Sequence, residues 1–234
     1  MPAPHWIHSA ATRWACTGIA LAAAACAPLS PKPAKTSEAP PVAAACPPAL
    51  AALARCLAGQ DSAGAYYLIA MPHQWNGHLV LHAHGGPALG APRPERSAAD
   101  LERWAIMVKA GYAWAGSTFR QGGVEVRAAA EDTERLRQIF VGHVAQPRRT
   151  ILHGQSWGAS VAARGAEMFT STTQGQRPYD AVLLTSGVLA GGSRSYDFRT
   201  DLRVVYQYLC NNHPRPTEVQ YPVNIGLPAD ATLT

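Results

Sequence analysis

The stretch Arg149-Thr150-Ile151-Leu152-His153-Gly154-Gln155-Ser156-Trp157-Gly158-Ala159-Ser160 decides how this chain is read. Residues 149–153 form a short, largely apolar run suited to a buried strand. Gly154 and Gly158 then bracket Ser156, and a helix-prone run continues to about Phe169. Such a segment predicts a strand, a sharp turn and a helix that starts against the strand. Small residues are needed where the two backbones nearly touch, because a Cβ there would meet main chain. Gly-x-Ser-x-Gly occurs by chance as a bare pattern. Lying between a β-rich run and a helical one, it has the context that gives it meaning.

Outward from this point, strands and helices alternate. Upstream, 65–70 reads as a strand and 72–77 as a turn, with Asn76-Gly77 the strongest local hairpin signal. The strand 78–83 follows, then a Pro/Gly-rich loop over 88–99. Residues 100–110 read as an amphipathic helix with Asp100 as N-cap, Leu101, Trp104 and Val108 on one face and Gly111 as its stop. A buried strand is expected at 112–118. A second helix is expected at 128–144, with Leu136, Ile139, Phe140 and Val144 apolar and Asp132 and Glu134 solvated near its start. Downstream, 179–186 is a further strand. This alternation predicts a mainly parallel sheet with helices on both faces, preceded by an antiparallel hairpin. Residues 48–57 read as a short helix pinned by cysteines. In the tail, 201–208 reads as a helix among loops.

A serine hydroxyl needs a base to take its proton, a carboxylate to orient that base, and donors where an oxyanion forms. Ser156 is the candidate nucleophile. The loop His84-Gly85-Gly86, directly after the strand 78–83, has glycines that let backbone approach a substrate. With Trp75 through Leu81, Gly111 through Ser117 and Gly154 through Gly158, it gives the chain a resemblance to the α/β-hydrolases of the secreted bacterial serine-esterase type. The likeness covers about residues 64–190.

The resemblance implies an α/β-hydrolase fold and cleavage of small-molecule esters through an acyl group on Ser156. The backbone N–H of Trp157 and that of Gly86, with Gly85 as second choice, would form the oxyanion hole. No metal and no organic cofactor is implied. In this family the acid and the histidine follow the serine. His213 is the one histidine after Ser156, and Asp201 precedes it, so Ser156–Asp201–His213 keeps the order. The other reading is that 191–234 begin a lid or cap insertion and that the C-terminal strands are missing. The acid and base would then lie beyond Thr234, and the chain would be a truncated or degenerate, non-catalytic domain. Unpaired Cys210 agrees with that reading. His82 and His84, two apart on a strand, share a face, with His73 and His78 nearby, but Ala83-His84-Gly85-Gly86 brings no further Asp or His ligands, which argues against a metal site.

The chain has 234 residues, 47% hydrophobic and 15% charged, which suits one domain with a real core. Its formal charge of +5 is diffuse and no Lys/Arg run exceeds two, which argues against nucleic acid as a partner. Residues 1–26 read as an export signal: Arg13 precedes an uncharged, mostly apolar run from Trp14 to Ala25, too short to span a bilayer. Cys26 after three alanines is a candidate lipidation site, the one membrane attachment expected; plain cleavage and secretion is the rival. Residues 27–45 read as a Pro/Ala-rich linker, 46–190 as the hydrolase core. In an exported protein Cys46 and Cys56 could close a disulfide loop. Oligomeric state is not legible.

Overall fold

The computed structural model describes residues 37–86, 89–123, 125–172 and 175–211. Its seven strands are β1 (Val42–Ala44), β2 (Ala54–Gln60), β3 (Tyr66–Pro72), β4 (His78–Ala83), β5 (Ala113–Ser117), β6 (Arg149–Gln155) and β7 (Ala181–Thr185). They form one sheet in the order β1-β2-β3-β5-β4-β6-β7. Strands β5, β4, β6 and β7 run parallel to one another, while β1, β2 and β3 are antiparallel to their neighbours. The helices are α1 (Glu95–Arg103), α2 (Ala105–Lys109), α3 (Val126–His143), α4 (Trp157–Met168) and α5 (Gly191–Cys210).

Strands β5, β4 and β6 lie inside the sheet because their side chains are apolar on both faces. On one face Leu79, Leu81 and Leu152 pack with Leu136, Ile139 and Phe140 of α3 and Ala162 of α4. On the other, Val80 and Trp114 pack with Leu101 of α1 and with Ala105 and Val108 of α2. Fully burying one such side chain stabilises the fold by about 1.5–3 kcal/mol, so these two layers fix the sheet. The mainly parallel, two-sided sheet expected from the alternation is the one found.

Several local expectations are corrected. Residues 48–57 are a 3-10 turn (Pro48–Leu50) followed by β2, not a helix. Their alanine-rich helix propensity is a weak preference, and pairing of β2 with both β1 and β3 outweighs it. Cys46 and Cys56 are joined by a disulfide across this pair. The expected linker 27–45 contains β1, whose Ala44 pairs with Cys56. Asn76-Gly77 does turn the chain, with Gly77 at φ 88°. It does not close a hairpin, because β5 lies between β3 and β4; the antiparallel part is β1–β3.

Asp100 is no N-cap: the helix begins five residues earlier, at Glu95, and Asp100 lies buried inside α1. Trp104 interrupts the helix because its ring turns inward over His82 and His153, at 5.7 and 4.5 Å. Asp132 and Glu134 are buried, not solvated. Arg120 and Arg135 bind Asp132, and Arg137 and the Tyr179 hydroxyl bind Glu134. Helix α5 extends well beyond the expected 201–208. The signal segment with Cys26, most of the linker, and His213 lie outside the described residues.

Candidate active site

Strand β6 ends at Gln155 and α4 begins at Trp157, so the turn between them is a single residue, Ser156, at φ 56° and ψ −121°. A non-glycine residue at positive φ is held there by its surroundings, and such strain concentrates at functional positions. The surroundings are visible in the neighbouring glycines. A Cβ on Gly154 would stand 2.7 Å from Ala159 Cα and closer still to the Gly158 carbonyl. A Cβ on Gly158 would stand 2.7 Å from the Ala83 carbonyl carbon and closer to the Ala83 and His84 oxygens. Register explains the crowding: Ala83 pairs with Gly154, so the end of β4 lies directly beside the turn. The Ser156 amide donates to the Thr185 carbonyl of β7 at 2.9 Å, and the Ala159 amide donates to the Ser156 carbonyl at 3.0 Å. Ser156 itself remains half-exposed.

The loop 84–86 lies against this turn. Gly85 has no room for a side chain: a Cβ would stand 2.6 Å from Gln155 Oε1 and 2.8 Å from the Gln155 carbonyl oxygen. Gly86 is at φ 70°, and among the described residues nothing lies within 4 Å of its Cβ position. Among the described residues, neither the Gly86 nor the Trp157 amide donates to another backbone carbonyl. The Trp157 amide is also the first of α4, where unpaired N–H groups and the helix dipole favour negative charge.

His84 is buried and stacks on Phe119 at 4.4 Å, and the Trp157 ring completes an aromatic wall at 5.9 Å from Phe119. Phe119 is itself at φ 60°. Its successor Arg120 is anchored by two bonds of 2.7 Å to Asp132, one from the amide and one from Nε. Burial, helped by the nearby Arg96 charge, pushes His84 down to about 4, so the ring is neutral at pH 7. Buried and stacked on Phe119, His84 packs the base of the loop.

His153 is fully buried under the turn. Its Nδ1 meets Nδ1 of His82 at 2.9 Å, so one ring donates to the other. Burial lowers His153 to about 4, and burial followed by the facing His153 keeps His82 well below the ordinary histidine range. The pair is neutral packing on the α1–α2 face. This hydrogen bond involves His82, one of the histidines weighed as metal ligands. Asp201 is exposed on α5. Among the described residues no histidine hydrogen-bonds the Ser156 hydroxyl; Ser156 and Trp157 lie at the turn against which Gly85 packs through Gln155, Gly86 follows in the same loop, and Asp201 makes no hydrogen bond to them.

Sequence reasoning missed Phe119, Gln155 and Arg96. Arg96 donates from Nη2 to the Gly85 carbonyl at 2.6 Å and from Nε to Asp100 Oδ2 at 3.2 Å. The i,i+4 spacing of Arg96 and Asp100 was the available signal, obscured by reading 88–99 as loop. A concavity of about 300 Å³ lined by His78, Tyr112, Arg149 and Asp180 lies at the starts of the parallel strands. Ser156 stands at their carboxyl ends, where ligands bind in open α/β sheets.

No protein-family model matches the sequence, and no curated protein matches it. Solved structures do. An esterase of the bacterial hormone-sensitive lipase family aligns at 18% identity and TM-score 0.47, over 70% of this chain and 58% of that one. A thermostable carboxyl esterase from Bacillus coagulans, in complex with glycerol, aligns at 20% and 0.40, over 67% and 55%. Inhibited esterase B from Lactobacillus rhamnosis aligns at 17% and 0.43, over 63% and 52%. The chain spans about half the length of the structures it matches. Likeness at this level concerns the course of the backbone and assigns no activity. The sheet, the strand–Ser156–helix turn and the glycine loop packed on it make the architecture an α/β-hydrolase fold.

Proposed function

We propose that this chain is a serine hydrolase that cleaves small-molecule carboxylic esters. The observation that carries the reading is Ser156 alone at the β6–α4 turn, at φ 56°, with the loop 84–86 packed against it. Ser156 Oγ attacks the ester carbonyl carbon and gives its proton to a base. The carbonyl oxygen becomes an oxyanion facing the Trp157 and Gly86 amides. The C–O bond to the alcohol breaks, the alcohol leaves with the proton, and the acyl group stays on Ser156. Water then attacks the acyl carbon, releasing the acid and restoring the hydroxyl. Two fixed amides suit this chemistry because they meet the developing charge without reorganising, and one such donor is worth about 100- to 1000-fold in kcat. Esters are favoured over peptides by the likeness of His84-Gly85-Gly86 to the esterase loop. The test is p-nitrophenyl acetate hydrolysis. Ser156→Ala is expected to remove at least about 1000-fold of kcat, and full activity in that variant would refute the reading.

A second reading, a non-catalytic hydrolase domain, is favoured by the lack of a histidine partner for Ser156 among the described residues. Stable binding of short-chain esters without turnover would support it, and multiple turnovers lost in Ser156→Ala would exclude it. We also propose export, with the Cys46–Cys56 disulfide as support, since such bonds persist in oxidising compartments. The intact mass of chain recovered from periplasm or envelope tests this: loss of residues 1–25 or thereabouts is expected, and an unprocessed cytosolic chain contradicts it.

A further inference from the structure

We infer that Arg96 is a positioning residue that sets the direction of the Gly86 N–H in the oxyanion hole by holding the other end of the same peptide unit. The inference rests on the reading of Ser156 as nucleophile and of Gly86 as an oxyanion donor.

The Gly85 carbonyl and the Gly86 N–H belong to one planar peptide group. No cis peptide bond occurs among the described residues, so the oxygen and the hydrogen point in opposite directions. Whatever fixes the Gly85 oxygen therefore fixes the Gly86 hydrogen. The need for a fixing contact is local. Glycines flank the peptide on both sides, and glycine backbones rotate with little steric penalty. Packing against Gln155 restrains the Gly85 α-carbon but not the plane that follows it. Among the described residues, Gly86 has nothing within 4 Å of its Cβ position.

Arg96 supplies the restraint. Its Nη2 donates to the Gly85 oxygen at 2.6 Å, and its Nε is held at 3.2 Å by Asp100 Oδ2 one turn along α1. Asp100 is 7% exposed, so the anchor is set into the fold. The other partner of that oxygen, Nδ1 of His84 at 3.4 Å, is long and comes from a neutral ring. A charged donor on the carbonyl also polarises the amide and strengthens its N–H as a donor. The guanidinium fork, unlike an ammonium, can meet a carboxylate and a carbonyl with separate nitrogens in one plane.

The experiment compares the native chain with Arg96→Ala and Arg96→Lys, with Glu95→Gln as an exposed control. The rate of phosphonylation by a fluorophosphonate is resolved into its maximal rate and its half-saturation concentration. Amide and carbonyl NMR shifts of Gly85 and Gly86 are recorded on the unreacted proteins. Arg96→Ala is expected to lower the maximal rate about 10- to 100-fold, a substantial part of one oxyanion donor, with half-saturation nearly unchanged. Millimolar guanidinium should restore part of that rate, Arg96→Lys should fall between, and the Gly86 ¹⁵N shift should move in Arg96→Ala. An unchanged maximal rate in a folded Arg96→Ala protein overturns the inference. If the native chain shows no labelling that depends on Ser156, the parent reading fails by itself. The NMR then decides the positioning: an unmoved Gly86 signal overturns it, and a moved one upholds the Arg96–Gly85 link without the catalytic role.

Discussion

On one flank of Ser156, β4, the loop 84–86 and the start of α4 touch backbone to backbone, and the residues beneath them, Leu81, Ala83, Leu152 and Ala159, are fully buried. On the other flank, β7 holds the Ser156 amide through Thr185, yet Val182 and Leu183 of that strand remain 40% and 47% exposed. Helix α5 beyond it shows Val204, Tyr208 and Leu209 to solvent. The first flank fixes Ser156 and the loop 84–86. If Ser156 acts as proposed, the second is the side from which an acid and a base would arrive, since in this fold they follow the serine in the chain. Rigid placement of the serine and delivery of its partners are thus separate problems, and the described residues solve the first.

This contrast can be broken by substitution. Gly158→Ala should be the most damaging, because its Cβ would strike the Ala83 and His84 carbonyls. A loss of about 3 kcal/mol or more, or no folded protein, is expected in urea unfolding. Leu152→Ala beneath the turn should cost about 2–5 kcal/mol. Near-native stability in both would mean that the tight flank is not tight.

Replacing Cys46 and Cys56 together by serine opens a loop with a sequence separation of 10. About 2–3 kcal/mol should be lost while phosphonate labelling at pH 7 is kept, because the disulfide ties β1 to β2, away from the turn. Loss of labelling in a folded variant would tie the remote edge to the site.

The buried histidines give a pH signature. His84 and His153 sit near 4 and His82 is also depressed, against an unfolded value of 6.5. The unfolded chain therefore binds more protons than the folded one in this range. Their contribution is intact above pH 6.5 and is lost as pH falls toward 4, at up to about 1.4 kcal/mol per pH unit for each group. Burial raises the Asp100 carboxyl, which opposes this trend in acid. Denaturant midpoints should fall from pH 6.5 to pH 4, and a flat profile would contradict neutral packing of the histidines.

On the open flank, Leu183→Ser should change stability by about 0.5 kcal/mol or less. A loss comparable to Leu152→Ala would show that β7 is covered in solution.

The parallel sheet and the turn were legible because they rest on local rules: β-rich runs alternating with helical ones, and glycines where backbones meet. Strand β2 was not, since 48–57 is rich in alanine and its pairing with β1 and β3 is non-local. The buried ion pairs at Asp132 and Glu134 were hidden for the same reason. A carboxylate near a helix start reads as solvated until the arginine or tyrosine that faces it is placed in space. Arg96 was one arginine among many in a stretch read as loop, and its meaning came only with the Gly85 carbonyl beside it.

The most direct test of the account is mass spectrometry of the native chain after a fluorophosphonate probe. One phosphonyl group per chain is expected, on the peptide containing Ser156, absent in Ser156→Ala. Label-free protein that is folded by circular dichroism, or label on another serine, would contradict it.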